Sequence, residues 1–160
     1  MNGGMLPILL ICATAGLALS LVGWREAWLG IAAIVVSALV VAMLPINAGA
    51  SHFIFAGLFL STILTAVLVY LPRTWPRHWA IPVAANAGGW AGALASLSGM
   101  HGALWLALPL SLLCLPGRMI EQRGLGIAVK VAASWMIAIS SLALFVSMMP
   151  HPGYVPDHME

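Results

Sequence analysis

Between Leu6 and Met149 the sequence is a train of apolar runs, and none of them contains an acidic residue. All but the fifth are close to the ~20 residues that a helix needs to cross a hydrocarbon layer about 30 Å thick. The runs cover 6–23, 27–44, 53–71, 80–100, 102–115 and 126–149. Apolar residues continue without alternation through each run, which excludes the dyad pattern of a membrane β-barrel. The breaks fall at Trp24-Arg25-Glu26, at 45–52, at 72–79, at 99–102 and at 116–125. The expected fold is therefore an all-α bundle of six transmembrane helices with short loops. It forms one domain over 1–149, followed by an extended external tail over 150–160.

The weakest break is Gly99 to Gly102, where one bent element could replace two spans. Ala80 to Leu115 is 36 residues, about 54 Å as helix, nearly twice the hydrocarbon thickness. Two spans fit that length better. The fifth run is short and carries Pro109 in its interior. The amino terminus, MNGGM, lacks the basic region of a cleaved signal, so the first run is expected to stay as a helix.

Composition agrees. Six Lys/Arg and four Asp/Glu make 6% of 160 residues, against 62% hydrophobic. A water-facing globule carries roughly a quarter charged residues, and a nucleic-acid binder needs a basic face. Both classes are excluded, so the first partner of this chain is the lipid bilayer. With six spans, Arg25, Arg73, Arg77, Arg118, Arg123 and Lys130 all lie on one side, Lys130 by snorkelling from the start of the last span. The positive-inside rule makes that side cytoplasmic. The expectation is N-out/C-out insertion in a bacterial-type inner membrane. The connection 73–79 interleaves Arg and Trp, as an interfacial anchor or an anionic-headgroup contact would. Trp24, Trp28 and Trp105 fit the same belt.

Catalytic constellations are absent. No carboxylate sits inside a run to serve a proton-coupled cycle, and there is no GxSxG, HExxH or phosphate-binding glycine loop. Ser51-His52 is adjacency without demonstrated nucleophile geometry. Cys12 and Cys114 fall at different depths, too far apart for a disulfide.

Histidine and methionine are distributed unevenly. In the six-span arrangement His52, Met100, His101, Met148, Met149, His151 and His158 gather at the outer side. Imidazole with thioether is a ligand set suited to copper. Zinc and an outer-side b-type haem are the other candidates, and interfacial placement of tolerable polar residues is the plain alternative. Ala84, Gly88, Gly92 and Ser96 form a small-residue strip in the fourth run, which permits close helix packing inside the bundle or a homo-oligomer seam. Asn86 is the one amide well inside a run. With Ser96, Ser111, Ser140 and Ser141 it could line a polar path or act as interhelical glue. In the external tail Tyr154 is an interfacial anchor, and the segment could strap against a partner.

Two functions remain open. One is a small transporter or transport-associated subunit for a small solute or metal ion. The other is a non-catalytic structural or assembly subunit bound to other membrane subunits.

Overall fold

The computed structural model describes residues 5–70, 79–99 and 101–148, with the side chains of Ala48, His101 and Ala103 excepted. Among the described residues every element is helical and none is a strand. α1 spans Met5–Leu19, α2 Trp24–Ala42, α3 Ser51–Leu68 and α4 Ala80–Ser98. The next segment is composite. α5 (His101–Ala107) runs through a 3-10 stretch (Leu108–Leu113) into α6 (Cys114–Gln122), and α7 covers Gly126–Met148.

Four segments are long and apolar enough to cross a membrane: α2, α3, Leu104–Gln122 and α7. These helices mark the chain as a membrane protein. They are also the ones that present large apolar side chains outward, such as Val36 and Val40, Leu60 and Leu64, Leu106, and Ile127, Leu142 and Phe145. A surface of that kind is stable in hydrocarbon, where it costs nothing to leave uncovered.

α1 and α4 are different in kind. Twelve of the fifteen residues of α1 are buried, because α1 touches every other helix of the bundle. Its Pro7 lies in the first turn, where no helical hydrogen bond is lost. At 15 residues α1 is about 22 Å long, a turn shorter than the apolar run that contains it. The chain leaves the helix at Ser20, whose hydroxyl donates to the Leu17 carbonyl oxygen (2.7 Å), and Gly23 is extended before α2 begins. α2 accordingly starts one turn earlier than its apolar run, with Trp24, Arg25 and Glu26 already helical.

α4 is built mainly from alanine and glycine, and its buried face carries Ala84, Ala87, Gly88, Ala91, Gly92 and Ala95. This face lies directly on α2. A Cβ at Gly88 would run into the Ile34 carbonyl oxygen and Ser37 Oγ, and one at Gly92 into the Ala38 carbonyl oxygen. Only glycine lets two helix backbones approach this closely, so that Cα–H groups face the opposing carbonyls. The strip is therefore covered at Gly88 and Gly92 by α2 of the same chain. Ser96, at the end of the strip, donates to the Leu44 carbonyl oxygen (2.6 Å) and ties the ends of the two helices together.

Two turns depend on left-handed glycines. Gly99 (φ +64°) stops α4 and separates it from α5, so the 99–102 break ends one helix before the next begins. Gly124 (φ +77°) closes α6, with its N–H donating to Glu121 O (3.0 Å) and that of Leu125 to Ile120 O (3.1 Å). This is the paired bonding that caps a helix through a left-handed residue. The fifth run also differs from its expected bounds: helix continues past Leu115 to Gln122. Pro109 costs the segment its α geometry, not its continuity, because the tighter 3-10 turn accommodates the missing donor. The 3-10 stretch presses on α1 so closely that a Cβ at Gly16 would lie 2.8 Å from the carbonyl oxygens of Leu110 and Ser111.

Gly92→Ala should destabilise the protein by about 1–3 kcal/mol, the cost of forcing extra atoms into a filled interface. Gly89→Ala, three residues away where a Cβ meets nothing within 4 Å, should be neutral or stabilising by up to about 1 kcal/mol through helix propensity. Thermal unfolding of both variants in detergent checks the pair; equal destabilisation would mean that α4 does not lie on α2 by this face.

Candidate functional site: an interior polar layer

Buried hydroxyls of α1, α3 and α7 lie around α3, and Asn86, exposed on α4, bonds to one of them. Asn86 of α4 donates through Nδ2 to Ser61 Oγ, and Trp90 Nε1 donates to Asn86 Oδ1 at 3.1 Å. Gly57, one turn before Ser61, makes room for the Trp90 ring, which a Cβ there would strike. The pairs Gly57–Trp90 and Ser61–Asn86 fix the antiparallel register of α3 on α4. On its inner face α3 carries Thr62 and Thr65, both buried. Thr62 donates to Leu58 O (2.8 Å) and Thr65 to Ser61 O (2.7 Å). Thr14 of α1, also buried, donates to Leu10 O (2.7 Å). Each threonine thus returns its hydroxyl to its own helix, as β-hydroxyl side chains do where water is excluded.

α7 closes the layer. The Tyr70 hydroxyl, just past α3, donates to the Lys130 carbonyl oxygen (2.7 Å) and lies 3.0 Å from Ser134 Oγ. Counting eight residues back from Tyr70 and eight on from the 130–134 turn brings Thr62 and Ser140 level. Ser140 is fully buried, and its Oγ has no hydrogen-bond partner among the described residues. Such orphan groups are rare in folded proteins.

At one end of the bundle Arg118 Nη1 donates to the Val22 carbonyl oxygen (2.7 Å), tying α6 to the α1–α2 turn. Arg25, Arg123 and Lys130 belong to that same end, at the starts of α2 and α7 and the close of α6. At the opposite end a cleft of about 430 Å³ opens between α2 and α5, lined by Leu39, Ala42, Met43, Leu104 and Trp105. Trp105 is 70% exposed there, and Trp24, Trp28 and Trp79 are exposed at helix starts. Trp24 and Trp28 meet edge to face, 5.5 Å between centroids.

Of the proposed metal ligands, His52 opens α3 and is exposed, and Met148 ends α7 with 73% of its surface exposed. The α3–α7 register brings them to the same level. His101 is the first residue of α5, with its side chain outside the described atoms. Met100, Met149, His151 and His158 lie outside the described residues, as do the Arg73–His78 connection and the 150–160 tail with Tyr154. Among the described residues no three His, Cys, Asp or Glu side chains come close enough to hold a metal ion. Cys12 and Cys114 are both free and buried.

Sequence reasoning singled out Asn86 and Ser140 but missed Trp90, the Gly57 notch and Tyr70. The four-residue spacing of Asn86 and Trp90 on one helix face was a usable signal; the Tyr70 contact across 60 residues had none. No protein-family model, curated protein or solved structure matches the chain.

Asn86→Ala removes one partner from both Ser61 and Trp90. In a bilayer-embedded bundle such bonds average about 0.6 kcal/mol and reach about 1.7, so a loss of roughly 1 kcal/mol is expected. The double variant Asn86→Ala/Ser61→Ala should cost less than the sum of the single variants. Strict additivity in detergent unfolding would mean the two side chains are not coupled.

Proposed function

We propose that the chain is a non-catalytic, membrane-embedded subunit that works by assembling with other membrane proteins. The observation that carries this reading is the state of Asn86. The amide that could have lined a path is occupied on one side by Ser61 and on the other by Trp90. The threonines of the same layer are closed onto their own helices. A conduit needs several convergent polar groups free to meet a solute, whereas here Asn86 is taken up in joining α4 to α3 and the buried threonines bond within their own helices. α7 contributes the assembly surface. It is the longest helix at 23 residues, and only Val129, Ala133 and Ser140 of it are buried.

Six crossings follow if α1 and α4 also span, within the shelter of the other four segments. The Lys/Arg-bearing end is then cytoplasmic by the positive-inside rule, with both termini outside and a bacterial-type inner membrane as the location. A second reading, a small-solute transporter, draws support from the orphan hydroxyl of Ser140. It lies at mid-depth in the polar layer, the level at which many transporters hold their substrates.

Purification in mild detergent from the native membrane separates the two. The subunit reading expects a fixed set of membrane proteins to co-purify, and a lower melting temperature for the chain once stripped of them. A chain that runs alone, melts unchanged and moves a solute into liposomes would establish the transporter instead. Orientation has its own check: a periplasm-dependent reporter fused after Glu160 should be active, and activity of a cytoplasm-dependent reporter there would overturn the N-out/C-out arrangement.

A further inference from the structure

One face of α4 lies on α2, and the opposite face looks outward. Pro82 and Asn86 are exposed there, and Ala85 and Gly89 are half-buried. Steps of three and four residues keep these positions on one side of the helix. A Cβ at Gly89 would meet nothing within 4 Å, whereas one at Gly88 or Gly92 would strike α2. The outward face is therefore narrow, built of small residues and open.

Asn86 decides what can lie against it. A carboxamide has two N–H donors and two lone pairs on its oxygen. Among the described residues Asn86 uses one donor, to Ser61 Oγ, and one lone pair, for Trp90 Nε1. One donor and one acceptor are left over on an exposed side chain. Asn86 is the seventh residue of α4, about 9 Å in from the start of the helix. At that depth no water meets the amide, and leaving its groups unbonded costs free energy.

A donor and an acceptor on one group are complementary to the same group turned about a two-fold axis. Two copies inserted in one membrane share an orientation, so a two-fold axis along the membrane normal brings Asn86 to the partner's Asn86 at one depth. Each amide then donates its free N–H to the other's Oδ1, closing two bonds. Side chains this short reach each other only if the helix axes lie about 8 Å apart, the close end of the usual range. Ala85 and Gly89 beside the amide permit that approach, as small residues do between membrane helices. A lipid chain offers neither donor nor acceptor, and a second copy carries both at the required level.

We infer that the chain forms a two-fold dimer through the outward face of α4, with paired Asn86 amides at its centre. This face is distinct from the α7 surface, so the inference goes beyond the assembly reading above and does not rest on it.

The test is sedimentation equilibrium of the whole chain in a density-matched mild detergent. Wild type should show a reversible monomer–dimer equilibrium. Asn86→Ala removes two interhelical bonds and should raise the dissociation constant roughly tenfold. Gly89→Leu, at a position open in the monomer, should crowd the seam and abolish the dimer while helix content holds. Met119→Ala, exposed on α6, should keep the wild-type constant within about twofold. A wild type that stays monomeric overturns the inference. So does a folded Asn86→Ala or Gly89→Leu variant that dimerises like wild type, or a Met119→Ala variant weakened as much as Asn86→Ala.

Discussion

The bundle depends on the contact of α4 with α2 at Gly88 and Gly92, where helix backbones meet without intervening side chains. Water cannot drive this association inside a bilayer, because lipid tails are as apolar as the helices. Dispersion summed over closely apposed backbones must do so instead, and it falls off steeply with a gap of even half an ångström. Small residues on one helix therefore determine the spacing of the pair. With α4 held on α2, its other face is left for α3, where Gly57 again yields space, this time to the Trp90 ring.

The other consequence is the division between inner and outer helices. α1 is enclosed by all the others, and α4 is pressed among α1, α2 and α3. Large side chains are consequently displaced outward, to α2, α3, α5–α6 and α7. The polar groups follow the opposite course. Thr14, Ser61, Thr62, Thr65 and Ser140 are buried in the interior, while Asn86, exposed on α4, keeps its amide bonded to Ser61 and Trp90, since an amide or hydroxyl facing hydrocarbon without a partner forfeits its hydrogen bonds. Helix pairs are thus joined at mid-depth by Asn86 and at the ends by Ser96, Tyr70 and Arg118.

Much of this was legible in the residues. Continuous apolar runs gave the helical class and the locations of the helices, since run length and proline or glycine punctuation are local properties. The helix bounds moved by a turn where polar side chains, such as those at Ser20 and 24–26, entered or left a helix for tertiary reasons. The character of α4 was half legible: Ala84, Gly88, Gly92 and Ser96 announce a close contact, but nothing in their spacing says whether the partner is α2 or another chain. Pro109 marked a disturbance without revealing that helical geometry continues through it to Gln122. Asn86 could be recognised as a residue that must find partners, while its partners, 25 residues away and on the next turn, required the fold. The histidine and methionine cluster rests mostly on residues beyond those described, and His52 and Met148 share only a level on neighbouring helices.

The central claim is that α4 is an inner helix whose glycine face is covered by its own α2. Carbene photolabelling from a lipid-dissolved diazirine, with the whole chain in bilayers and labelled sites assigned by peptide mass spectrometry, tests it most directly. The account predicts heavy labelling along α7 at Ile127, Leu142 and Phe145, and none on the α4 face of Ala84, Ala87, Gly88, Ala91, Gly92 and Ala95 or at Ile8 and Ile11 of α1. Labelling of the α4 face that carries Gly88 and Gly92, at the level seen on α7, would contradict it.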